Sequence, residues 1–203
     1  MASTTDRHLR LEDIEDLRAY ERHRQEFRAS VIALKRLRRV AVGPLVTFVF
    51  ENRDTVRFQI QEMARVERMS TDEQIQGELD VYNPLIPEPG ELSATLFVEL
   101  TDEQALREWL PKLVGIERAA ELRIGAPEDL DVVRSTPEAA HAEQLTREDV
   151  TSSVHYVRFS LSPAQIERFA NGPVALAVSL PAYEEKTVLD DGVCRELLGD
   201  LRP

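Results

Sequence analysis

The chain has 203 residues, 42% of them hydrophobic, and a formal net charge of −12. That length suits one domain, or one domain with a helical appendage, and the apolar content is enough for a sizeable core. Cys194 is the one cysteine, so the chain alone makes no intrachain disulfide and no multi-cysteine metal or iron–sulfur site. No apolar run approaches the ~20 residues that span a bilayer, and "MASTTDRHLRLEDIEDL" lacks the apolar centre of a signal peptide. The expected location is the cytoplasm.

The charge is unevenly spread. Residues 1–68 hold 14 Lys/Arg against 11 Asp/Glu, whereas residues 69–203 hold 11 against 26. Five basic residues and no acidic one lie between Arg28 and Arg39. Such a segment suits phosphate or an acidic partner, or forms a solvated helix face. Lys35, Arg36, Arg38 and Arg39 are its phosphate-binding candidates. The acidic whole and the lack of a recognition motif argue against nucleic acid.

In chain order, residues 11–39 read as a long helix, with Leu11, Ile14, Leu17, Phe27, Val31, Leu34 and Leu37 on a 3–4 spacing. Its charged middle, "RAYERHRQEFR", predicts that only part of it packs; the rest extends or meets a second chain, so a homodimer is one candidate. Gly43-Pro44 introduces a strand through Phe50. Asp54 is the expected N-cap of a helix to about Met69. Thr71 and Gln74 are spaced as a capping box for the next helix. "YNPLIPEPG" forbids regular structure. Residues 91–100 alternate as a strand. "TDEQALREWLPKLVG" reads as a helix capped by Thr101, closed by Gly115 and shortened at Pro111, and "AAELRIG" as a strand. Residues 126–150 read as a polar excursion with one short helix. "SSVHYVRFSL" is a strand, and "SPAQIERFANG" is a helix with Ser162, Pro163 and Gly172 as punctuation. "PVALAVSL" is a strand and "VCRELLGDL" a closing helix.

"TLFVELTDEQALREWL" and "YVRFSLSPAQIERFA" align without a gap, which motivates an internal duplication over 91–125 and 152–181 as a hypothesis. Two strand–helix–strand units can share one sheet. The expected fold is α+β: a mixed sheet carrying both units in residues 40–203, preceded by a long helical element at 1–39.

"FENRDTVRFQIQEM" raises the main question about function. At about 100° per residue, Val56, Ile60, Met63 and Val66 form an apolar stripe with Gln59 inside it. Arg57, Gln61, Ala64 and Arg68 fall on the opposite, exposed face. A buried amide needs partners. Gln59 either fixes the helix to a loop or borders a site. In the second reading Glu51, Asn52, Gln59 and Glu62 line a polar pocket past the strand's end, with Arg65 or Arg68 for an anionic group and the Tyr82-Asn83-Pro84 loop nearby. Carboxylates and amides there suit a hard cation or a polar metabolite.

Other chemistry is sparse. The chain has no phosphate-cradling glycine loop, GxGxxG, HExxH or GxSxG. His8 and His23 read as solvated, and His155 as a structural histidine within a strand. Glu138–His141 has the Glu-x-x-His spacing of di-iron helices, but such sites need two pairs and further Glu, so the spacing reads as chance. No metal site, cofactor or catalytic residue is assigned, and Cys194 reads as a buried thiol.

"VGP-x-VTFVFEN", "T-x-x-x-QIQEM-x-R-x-E", "YNPLIP" and "GELSATLFVEL", in this order, resemble an uncharacterised bacterial domain-of-unknown-function family, thirty-five-oh-one. The likeness continues through "GIE", "SSVHY" and the last helix. Glu51, Asn52, Thr55, Gln59, Glu62, Arg65, Glu67, Tyr82, Asn83, Pro84 and His155 match the family pattern. Many members carry a His before a late tyrosine; this chain has Leu180 there. The family has no established activity. The resemblance implies a setting beside rubrerythrin and iron–sulfur oxidoreductase genes. It therefore suggests an accessory protein with a redox partner, rubrerythrin or an iron–sulfur protein. The alternative is a small-molecule or metal-binding protein, or an enzyme, with its pocket at 50–67 and 82–87.

Overall fold

A computed structural model of the chain describes residues 7–138 and 150–202. His141 of the Glu-x-x-His pair lies outside them, as do residues 139–149 of the segment given a short helix. The long N-terminal helix is α1, Leu17–Arg36. It starts later than its apolar spacing suggests. Asp16 caps it, accepting from the backbone N–H of Arg18 and Ala19, and Leu11–Asp13 forms a separate 3-10 turn.

Arg39–Val42 is strand β1, not the end of α1, and it makes a hairpin with β2, Val46–Glu51. Gly43 sits in the turn at φ +66°, where an added Cβ would lie 2.5 Å from the Tyr183 hydroxyl, so only glycine fits. Helix α2 spans Arg53–Glu67 and α3 spans Asp72–Tyr82. Asn52, not Asp54, caps α2, because Glu51 still belongs to the strand and Asn52 is the first residue past it. Thr71 and Gln74 form the expected box at α3.

Strand β3, Glu91–Val98, leads into α4, Glu103–Trp109, which Asp102 caps, and then α5, Ile116–Ala119. Gly115 thus opens a second short helix rather than closing the first. Next come β4, Ala120–Ile124, β5, Asp131–Arg134, and β6, Thr136–Pro137. These last two are strands where a polar excursion was expected. β7, Val154–Ser160, α6, Pro163–Asn171, and β8, Val174–Leu180, follow the sequence reading. β9, Tyr183–Val188, and α7, Asp191–Leu201, end the fold.

The class is α+β. Its strands form two sheets, β1-β2-β3-β7-β6 and β5-β4-β8-β9, and every described strand pair is antiparallel. The two strand–helix–strand units therefore do not lie side by side in one mixed sheet. Each crosses from the first sheet to the second. Their first strands pair with each other, and so do their second strands. Phe48, Phe50, Leu92, Leu96 and Phe159 of one sheet meet Leu122, Ile124, Leu176 and Val178 of the other in the main core, joined by Leu197 of α7. A smaller cluster, Leu9, Val56, Ile60, Leu79, Leu85 and Ile86, packs α2 and α3 against the N-terminal segment.

Arg38 ties these parts together. It is only 1% exposed. Its guanidinium bonds the Asp200 carboxylate at 2.8–2.9 Å, Glu196 at 3.0 Å and the carbonyls of Phe50 and Glu51. Burial pushes the Asp200 carboxyl above its ordinary range, against the pull of Arg38. Arg38→Ala is expected to cost about 3–5 kcal/mol by leaving two partly buried carboxylates and the carbonyls of Phe50 and Glu51 without their donor, and Arg38→Lys to recover little, since an ammonium lacks the fork. Urea denaturation checks this; an unchanged midpoint for the alanine variant would remove the anchoring role.

Candidate functional site

The strand end at Glu51 holds a buried carboxylate. Its two oxygens accept hydroxyl bonds from Thr55 at 2.5 Å and from Thr95 at 2.7 Å, on the outer face of the first sheet. Tyr156, paired with Thr95 across the strands, lies within reach of this charge and of Tyr82. Burial first, then those two neighbours, push the Tyr156 phenol up. Asn52 is spent on capping.

Gln59 is half-buried rather than inside the apolar stripe, and Val66, placed in that stripe, is 68% exposed. The buried amide is Gln61, at 1% exposure. Its oxygen accepts from the Glu15 backbone N–H at 3.1 Å, and its nitrogen donates to the Glu15 carbonyl at 2.8 Å. The face of α2 assigned to water is covered by the N-terminal segment, so Gln61 and Ala64 go inside. Asn83 makes the same two-point clamp on the backbone of Leu9, at 2.8 and 2.9 Å.

Glu62 accepts from the Tyr20 hydroxyl and takes a bidentate pair from Arg24, all at 2.7 Å. Arg24 foremost holds its carboxyl below the usual range. Arg65 pairs with Glu21. Glu62, Arg65, Gln61 and Asn83 thus fasten the N-terminal segment and α1 onto α2 and α3. Asn83 also lines a cleft of about 480 Å³ with His8, Pro84, Glu88 and Arg158. Asn52 lines a different one of about 200 Å³. The seven candidates are not gathered around one cavity. Among the described residues, no group of three or more His, Cys, Asp or Glu is placed to hold a metal ion, and no helix is long and apolar enough to cross a membrane.

The outer face of α1 offers a surface instead. Gln25, Arg28, Ala29, Ile32, Ala33 and Arg36 follow the 3–4 spacing of one helix side, and all six are exposed. Ile32 is 40% exposed. No carboxylate of the described residues pairs with Arg28 or Arg36. The basic run is not one patch, however. Arg38 is buried in its pair with Asp200, and Arg39 is held by Glu99. A helix wheel finds this face once the packed side is known. Sequence reasoning grouped the segment only by charge.

His155 points into the main sandwich, beside Leu96. Its Nε2 lies 3.0 Å from the Ser152 carbonyl and 2.9 Å from the Thr151 hydroxyl. The carbonyl can only accept, which assigns the ring proton to Nε2 in the neutral form. Burial depresses its pKa, against the Glu117 charge and the Ser152 bond.

Two expectations follow from these contacts. Gln61→Leu strands the two backbone groups of Glu15 and is expected to cost about 1–3 kcal/mol, while Gln59→Leu stays within about 0.5 kcal/mol; equal effects in urea titrations would refute the exchange of roles. For His155, the unfolded chain takes up the proton first, at about pH 6.5. Its contribution is therefore complete above that pH and declines as the pH falls below it. Thermal melts between neutral and mildly acidic pH are expected to show a slope that is shallower in His155→Gln, and identical slopes would contradict this.

The comparisons agree with this architecture. A crystal structure of a novel protein of unknown function from Burkholderia pseudomallei is similar, with 34% identity and a TM-score of 0.86. The match covers 95% of this chain and 98% of that one. No curated protein matches the chain. The family model described as "Protein of unknown function (DUF3501)" matches residues 8–201, and the chain belongs to that family.

Proposed function

We propose that the chain is an accessory protein that docks an acidic protein partner through the outer face of α1, in an oxidative-stress or iron–sulfur redox system. The observation that carries this is Arg28 and Arg36, without a carboxylate partner among the described residues, on either side of exposed Ile32, on a chain of net charge −12. Two cations spaced about two turns apart around an apolar anchor form a helix face suited to a complementary acidic surface. The inner side of α1 is already satisfied: Tyr20 and Val31 are buried, and Phe27 stacks edge-on to Phe58. The redox setting rests on the family resemblance. The polar-metabolite reading is second, and the 480 Å³ cleft beside Asn83 and Arg158 favours it.

The test pairs the purified protein with a rubrerythrin and an iron–sulfur oxidoreductase encoded beside a family member. Arg28→Glu with Arg36→Glu is expected to weaken binding of one of them by about tenfold or more, and added salt to weaken the wild-type complex. Binding that charge reversal leaves untouched would remove α1 as the docking face and leave the cleft as the leading site.

A further inference from the structure

A cavity of about 410 Å³ lies where the N-terminal segment meets the end of α2 and the start of α3. Leu11, Ile14, Met69 and Ile75 supply apolar walls. A second depression of about 410 Å³ shares Leu11 and Asp72 with it and runs along α3 past Glu73, Gln76 and Asp80. The two adjoin at Leu11 and Asp72 as one groove, mainly apolar but with Glu15, Asp16 and Arg18 at one end, and acidic along the other. Gly77 lines it, and a Cβ there would meet nothing within 4 Å.

This groove is the complement of the outer face of α1. Arg28 and Arg36 are eight residues apart, and so are Asp72 and Asp80. On a helix each pair spans about 12 Å. Between the two arginines stands Ile32, flanked by the small residues Ala29 and Ala33, which allow close approach. The helix cannot fill its own groove. Ile32 is fifteen residues beyond Leu17, which lines the cavity, or about 22 Å along the axis.

We infer that the groove takes the α1 outer face of a second copy of this chain, with Arg28 and Arg36 on Asp72 and Asp80 of α3 and Ile32 over Gly77 between them. This rests on α1 being a docking face, as in the proposed function. The two surfaces differ, so the contact is head-to-tail and leaves a free face at each end. Self-association then covers the face that an acidic partner would use, and the two compete. The charge of −12 on each copy opposes approach at long range. At physiological salt the Debye length is about 8 Å, which screens that repulsion beyond the contact itself.

Sedimentation velocity at physiological salt tests it. The wild-type mass is expected to rise above 23.1 kDa between micromolar and near-millimolar protein. Arg28→Glu/Arg36→Glu and Asp72→Lys/Asp80→Lys are each expected to stay monomeric, with unchanged circular dichroism, since all four side chains are exposed. Mixed together, they restore both contacts: the Arg face of one meets the Asp groove of the other, and the Glu face meets the Lys groove. The mixture is expected to associate as the wild type does. A wild type that stays monomeric, variants that still associate, or a mixture that does not would each overturn the inference. The groove variant also separates it from the partner reading. If Asp72→Lys/Asp80→Lys keeps partner binding while the wild type never self-associates, only the self-contact falls. If the wild type self-associates but binds neither redox protein, only the partner reading falls.

Discussion

One guanidinium, that of Arg38, holds together parts of the chain that are far apart in sequence. It emerges where α1 gives way to β1, takes two carbonyls at the end of β2 and two carboxylates of α7. A cation in such a position has no water, so every donor must find an acceptor, and here the planar fork does. The result is directional. The end of β2 is fixed, and Glu51 and the start of α2 follow directly from it. The terminal helix is drawn against both. Gly90 reinforces that closure by donating its N–H to the Leu201 carbonyl at 3.0 Å.

Upstream of that anchor, two side-chain amides do similar work. Gln61 and Asn83 each bind one peptide group of the N-terminal segment through both N–H and C=O. An amide side chain matches a peptide group's donor and acceptor, so it can hold an extended strand-like segment without a sheet. Leu9 and Ile14 then reach the small core around Ile60 and Leu79. Ion pairs of Arg57 with Glu15, just before α1, and of Arg24, within it, with Glu62 fix the helix on α2. Its far side is left clear of the body.

The local grammar was legible where signals were local. Thr71 with Gln74, and Ser162 with Pro163 and Gly172, gave α3 and α6 with their caps. Alternation gave β3, β7 and β8. What failed depended on neighbours distant in sequence. The polar side of α2 looked solvated because nothing in residues 53–67 says that residues 7–20 lie on it, and so Gln59 was chosen over Gln61. Asn52 outranked Asp54 as a cap because the strand's pairing with β3 runs through Glu51. β5 and β9 are short, with polar edge residues, and carry little apolar pattern. The two units were visible, but their sheets were not. Strand direction depends on pairing between β3 and β7 and between β4 and β8, which no single segment encodes.

The same distinction explains the charge pattern. Charge alone predicts that a basic N-terminal third and an acidic remainder neutralise each other within one molecule. Arg38 and Arg39 do so, with Asp200 and Glu99, but Arg24, Arg53, Arg57 and Arg65 pair with Glu62, Asp13, Glu15 and Glu21, inside the basic third itself. Arg28 and Arg36 sit on the opposite side of α1, where the body does not reach. The acidic run of α3 is likewise exposed, around a groove whose other half is apolar. Ile32 between Arg28 and Arg36 is the surface on which the docking proposal rests, because two cations flanking an apolar side chain match an acidic surface with an apolar recess.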